Sequence, residues 1–154
     1  MYKEADGTIR GYGNSVNPPN DFPNLTVVEI TDAEKLPYVQ QAKIEELNID
    51  CNQEILNGFT SSASGAAHDY EFNEEWQRYL TQQATAFLLD DTLSGIDWKT
   101  KDAGMVPHNR SQFIQLFKEA NDFRNTKISR LDDFENQIAL TTASTMGTIV
   151  SIEW

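Results

Sequence analysis

Between Asn109 and Ile138, apolar side chains return every three or four residues: Phe113, Leu116, Phe117, Ala120 and Phe123, then Leu131, Phe134 and Ile138. That spacing follows the α-helical turn and places the large side chains on one face. A chain carrying such a stripe must cover it with another element, so a helical core is the first constraint on the fold. Asn109 with Gln112 three residues on marks the helix start, and Asn125-Thr126 is expected to loosen it midway.

Two more helices read from the same period. Asn73 caps one whose face carries Trp76, Leu80, Ala84, Phe87 and Leu88, with Glu74 and Glu75 placed favourably at its positive end. The other carries Ile44, Leu47, Cys51 and Ile55 in one row and Ala42, Ile49 and Leu56 in a second, so cover on more than one side is expected. Thr31 and Glu34 have capping-box spacing. Pro37 is expected to stop that first turn and to restart the helix near its own position, and Asn57-Gly58 ends it.

The remaining segments carry strand and turn signals. GIDWKTKDAGMVPHN, residues 95–109, reads as a short strand, a turn around Gly104 and an extended exit through Pro107. The tail from Gly147 to Trp154 reads as a short strand. Ile96-Asp97-Trp98 and Ile152-Glu153-Trp154 share a pattern that is either a pair of neighbouring strands or a coincidence of three residues. Residues 1–30 read as a small β module. A turn at Asp6-Gly7 lies between Tyr2 and Ile9, the proline-rich stretch SVNPPNDFPN follows, and LTVVEI closes the module. Three prolines in ten residues leave it little apolar surface. Val27, Val28 and Ile30 are therefore candidate partner contacts, placed for strand addition to a neighbour. The expected fold is α+β, mainly α: a β attachment module at 1–30, then a helical domain at 31–154 with minor short strands.

Charge narrows the partners. Twenty-four acidic against twelve basic residues give a formal net charge of −12, which repels phosphate backbones and anionic membrane surfaces. No nucleic-acid or membrane partner is expected, and neither a leader peptide nor a membrane-spanning run is read. The single Cys51 excludes a disulfide framework and a cysteine-rich zinc site, and fits synthesis in a reducing cytoplasm. The sequons at Asn24 and Asn109 carry no meaning without secretion.

The window NGFTSSASGAAHDYEFNEEW, residues 57–76, brings Ser62, Ser64, His68 and Asp69 close in sequence. A Ser-His-Asp triad needs convergence in space together with an oxyanion hole, and Ala63-Ser64-Gly65 lacks the first glycine of a nucleophile elbow. Small residues between a helix end and the next cap are ordinary connector material. His68 and His108 are forty residues apart with no metal-ligand helix spacing, and Asp90, Asp91 and Asp97 match no calcium-loop pattern. Glu74 and Glu75 point to different sides of their helix, and DGTIRGYG lacks the lysine of a phosphate loop. No catalytic, cofactor-binding or metal-ligating residue is assigned.

Several stretches together resemble a known domain: GFTSSASGAAHDY at 58–70, WKTKDAG from Trp98, PHNRSQF ending at Phe113, QIALTTA after Asn136, and the terminal IEW. They are similar to the C-terminal domain of XkdW-like tail proteins of tailed phages, over roughly residues 54–154. Asn73-Glu74-Glu75 stands where that group tends to have an Asp-Gln pair, and His108-Asn109 where it often has His-Thr. The resemblance implies a structural role in the virion, in or beside the tail fibre or baseplate, through contacts with other tail proteins and with copies of itself. It carries over no catalytic residues and no cofactor. It implies synthesis in the host cytoplasm and residence in the tail. The alternatives are a tail-fibre assembly chaperone and, in another class, a polymer-degrading hydrolase. In this reading His68 and Tyr70 anchor a tight connector onto the helical core.

Overall fold

The computed structural model describes Tyr2–Lys3, Gly7, Ile9–Arg10 and residues 30–154. Strand β1 (Tyr2–Lys3) pairs antiparallel with β2 (Ile9–Arg10). Val27 and Val28 lie outside the described residues, as does the remainder of the expected β module. The described chain continues as α1 (Asp32–Leu56), β3 (Phe59–Ser61), β4 (His68–Tyr70), α2 (Glu74–Leu89), β5 (Gly95–Thr100), β6 (Gly104–Asn109), α3 (Arg110–Ala139) and a 3-10 helix (Ala143–Ser151). The fold is α+β and mainly helical, with short two-stranded antiparallel hairpins.

Local chemistry sets the helix starts. The Thr31 amide donates to Glu34 Oε2 at 3.0 Å and the Glu34 amide donates to Thr31 Oγ1 at 3.3 Å, the reciprocal pair of a capping box. Asn73 Oδ1 accepts from the Trp76 amide at 3.1 Å. The Asn109 amide donates to Gln112 Oε1 at 2.9 Å while Asn109 Oδ1 accepts from the Gln112 amide at 3.0 Å. Each satisfies donors that a helix N-terminus leaves open.

Two expectations about helix continuity are corrected. α1 runs unbroken through Pro37. Proline so near the start removes a single helical bond, the one to the Ala33 carbonyl, and Ala33 is exposed to water. α3 is likewise unbroken at Asn125-Thr126, where the Thr126 hydroxyl bonds back to the Asp122 carbonyl at 2.8 Å.

The chain divides into two compact units, and α1 and α3 contribute residues to both. One comprises the described residues up to Glu45 with Glu135–Glu153; the other is Glu46–Phe134 with Trp154. In the first, Ile30, Ile138 and Ile149 are buried, and the Gln40 amide donates to the Ile138 carbonyl at 2.9 Å. Its tail is a 3-10 helix, which corrects the expected strand. Hydroxyls recur every third residue at Thr142, Thr145, Thr148 and Ser151, the repeat of a 3-10 turn. Thr148 and Ser151 donate to the Thr145 and Thr148 carbonyls at 2.8 and 2.7 Å. Strand β5 pairs with β6, so Ile152-Glu153-Trp154 is not its neighbour in a sheet.

The second unit holds the aromatic core. Phe113 packs against Phe87 and Trp98 with ring centroids 5.3 and 5.1 Å away, and Phe59 lies 5.6 Å from Tyr70, 5.4 Å from Phe72 and 5.7 Å from Phe123. Leu80, Ala84, Leu116 and Ala120 complete it, with Phe117 partly buried against it. The expected second row of α1 is exposed: Ala42 and Leu56 face water and Ile49 is 57% accessible. Leu88, expected on the buried face of α2, is 76% accessible. Between α1 and α2 the expected connector is a hairpin, with Phe59 opposite Tyr70 and Ser61 opposite His68.

Candidate functional site

The β3–β4 hairpin collects the polar residues of the serine-rich window. Strand alternation sends Phe59, Ser61 and Tyr70 inward, while Thr60 and Asp69 face out, where the Thr60 hydroxyl donates to Asp69 Oδ1 at 2.6 Å. Gly58 makes the entry. Its φ is +88°, and a Cβ there would lie 2.1 Å from the Tyr70 carbonyl oxygen, so only glycine fits.

Three links through its own strand side chains tie the hairpin to its surroundings, beside the Gln112 side chain of α3, which donates to the Ser64 carbonyl at 2.8 Å. The Ser61 hydroxyl donates to Glu119 Oε2 on α3 at 2.5 Å, and this bond, with a further one from Gln115, holds the Glu119 carboxyl below the usual range. His68 Nδ1 lies 2.9 Å from Asp102 Oδ2 in the β5–β6 turn. The Asp69 amide donates to the other oxygen of Asp102 at 3.1 Å, and the Lys101 amide returns a bond to the Asp69 carbonyl at 2.7 Å. These bonds, the one from His68 first, depress the Asp102 pKa.

The third link is buried. The Tyr70 hydroxyl meets His108 Nε2 at 2.9 Å, and His108 Nδ1 lies 2.8 Å from the Val106 carbonyl. A carbonyl only accepts, so Nδ1 carries the proton and neutral Nε2 accepts from Tyr70. Burial lowers the His108 pKa and raises that of Tyr70, which keeps both groups neutral.

The arrangement has pieces of a triad without its assembly. His68 and Asp102 form a pair, but the described bonds join no serine hydroxyl to either histidine. Ser61 is committed to Glu119, and the Ser64 hydroxyl donates to the Ala66 carbonyl at 3.1 Å. Ser62 is exposed. Asp90, read as a loop acid, accepts from the Thr92 hydroxyl at 2.6 Å, which lowers its pKa. Asp91 pairs with Arg110 at 3.0 Å, and that guanidinium also bonds the Phe87 and Asp90 carbonyls at the end of α2. Among the described residues, no group of three or more His, Cys, Asp or Glu could hold a metal ion. Of the candidate partner contacts, Ile30 is buried at 2% accessibility, and Val27 and Val28 are not among the described residues. Sequence reasoning missed Asp102, Glu119 and the Tyr70–His108 bond. Only the alternation of Phe59-Thr60-Ser61 and His68-Asp69-Tyr70 about Gly65 signalled the hairpin that organises them.

A profile of a family described as a domain of unknown function (DUF4376) matches residues 38–150, from the first turns of α1 to the 3-10 tail. No curated protein matches the chain, and no solved structure does. Among the described residues, no helix is long and apolar enough to cross a membrane.

Proposed function

We propose that this chain, which belongs to the DUF4376 family, is a structural component of a tailed-phage virion, in or next to the tail fibre or baseplate. It acts through contacts with other tail proteins and with copies of itself, in several copies that follow the tail's symmetry, and without catalytic turnover. One observation carries the reading. The residues through which the sequence resembles tail-protein domains are engaged in building the fold: Gly58 admits the hairpin, Ser61 and His68 tie it to Glu119 and Asp102, and Tyr70 closes on His108. In the same reading residues 1–30 form the attachment module. Val27 and Val28 are its partner contacts in this reading, and Ile30, two residues before α1, is buried.

Mass spectrometry of purified particles of the phage that encodes the chain tests this. The chain is expected in mature virions at a stoichiometry matching a tail ring or fibre. Its presence in infected cells and absence from mature particles would replace the reading with that of an assembly chaperone. Hydrolysis of a cell-surface polymer, abolished by one Asp or Glu substitution, would replace it with an enzyme.

A further inference from the structure

Within the second unit, α1 and α3 leave between them a groove of about 600 Å³. Ile55 of α1 lines it and is buried. Leu56 of α1 and Ile128 of α3 also line it but stay in water, at 42% and 48% accessibility. Ile49 is exposed as well, one turn before the groove residue Asn52.

Arg124 of α3 is the unmet group of this groove. Its Nε is buried without a hydrogen-bond partner, and its guanidinium makes no ion pair with a described residue. Neighbouring cations on α3 are engaged: Lys127 pairs with Glu54 at 2.9 Å, and Arg130 lies over the Phe134 and Trp154 rings. Glu74 of α2 lines the same groove and does not bond Arg124 Nε. A buried N–H without an acceptor carries an uncompensated desolvation cost. In a chain with 24 acidic residues, that donor calls for a carboxylate brought by another molecule.

We propose that this face joins two copies of the chain, packed antiparallel through α1 about a two-fold axis beside Asn52. The exposed row sets the register. Ile49, Asn52 and Leu56 follow at intervals of three and four residues, the spacing of a helix–helix seam. Turning one α1 end for end about Asn52 places Ile49 of each copy against Leu56 of the other, so the same contact forms twice. The two Asn52 amides meet at the axis, and each can both donate and accept. The Glu54–Lys127 pair fixes α3 beside the C-terminal end of α1, and Arg124 stands one turn back from Lys127. Antiparallel packing carries Glu45, one turn ahead of Ile49, to that same end of the other copy's α1. Glu45 is exposed and accepts from Gln41 through Oε1 at 2.9 Å, which leaves Oε2 for the guanidinium. A small anion would meet Arg124 but leave Ile49, Leu56 and Ile128 in water. A second α1 brings carboxylate and apolar cover together. Two chains of net charge −12 repel, and salt at about 0.15 M confines that repulsion to about 8 Å. The inference rests on the self-contact in the virion reading and can fail without it: chains that are monomeric in solution yet present in mature virions would sink the dimer alone.

Sedimentation velocity on the full chain, from about 1 to 200 μM in about 0.15 M salt, should show a monomer–dimer equilibrium with a micromolar Kd. Ile49→Glu and Arg124→Glu should each weaken it about tenfold or more with an unchanged melting curve. Adding Glu45→Arg to Arg124→Glu should restore the dimer, because the exchanged charges attract again. Leu88→Glu, at an exposed apolar position of α2, should leave it intact. A second measurement avoids the charged substitutions: Asn52→Cys should oxidise to a disulfide-linked dimer, whereas Thr85→Cys on α2 should not. The proposal is overturned if the chain stays monomeric across that range, if the exchanged pair fails to restore what Arg124→Glu removes, or if Asn52→Cys stays unlinked.

Discussion

The Tyr70 hydroxyl and His108 Nε2 stand 2.9 Å apart, joining β4 to β6 across 38 residues of chain. Because His108 is held neutral by burial, its folded pKa lies below the ordinary 6.5. The unfolded chain then binds a proton that the folded chain refuses as pH drops. This contribution is complete above about pH 6.5 and declines as pH falls through the folded value. The depressed carboxyls of Asp102 and Glu119 act in a lower window, beneath their ordinary 3.8 and 4.5. Denaturant titrations of the wild type should therefore show stability falling already below about pH 6.5, the free histidine pKa. His108→Gln should flatten that segment and leave the acid limb below about pH 4 in place. An unchanged slope would place the titration elsewhere.

Gly58 tolerates no side chain, since its backbone is left-handed and the Tyr70 carbonyl occupies the Cβ position. Gly58→Ala should cost more than about 1 kcal/mol, beyond the entropy it returns to the unfolded state. Gly65→Ala is strained in φ alone, with open space at its Cβ, and should cost less. Equal chemical-denaturation midpoints for the two would contradict this account of the hairpin entry.

Phe113 and Phe117 share a helix face but differ in cover. Phe113 is fully buried between Phe87 and Trp98, and Phe113→Ala should cost about 3–5 kcal/mol. Phe117 is only partly buried, so Phe117→Ala should fall clearly below that range. Thermal or denaturant melts of the two variants check the order.

A serine-reactive fluorophosphonate should label neither Ser62 nor Ser64, because neither hydroxyl is joined to His68 or His108. His68→Ala should move the denaturation midpoint only slightly, since its partner Asp102 is exposed. Stoichiometric labelling that His68→Ala abolishes would restore the enzyme reading.

Deleting residues 1–29 and keeping Ile30 and the Thr31 cap should leave a cooperative melt in a protein that no longer enters the particle. Loss of folding would make the deleted segment part of the core. Normal particle entry would make it dispensable for attachment.

Helices were legible because their signals are local. Thr31 with Glu34, Asn73 with Trp76, and Asn109 with Gln112 satisfy open amides within one turn, and the rows at 80–87 and 113–120 bury themselves wherever the chain places a partner. Periodicity does not say which apolar row meets that partner, and this is why Ile49 and Leu88 are exposed. The tail was misread because hydroxyls at every third position stabilise a 3-10 helix, while Ile149 and Val150 carry β propensity. The site was the least legible. Ser61 with Glu119, His68 with Asp102, Tyr70 with His108 and Trp76 with Trp98 are separated by tens of residues. Residue types and short spacings determine where a turn or cap forms. Which distant carboxylate, imidazole or ring meets a side chain depends on the packing of whole elements, and tertiary structure alone decided that.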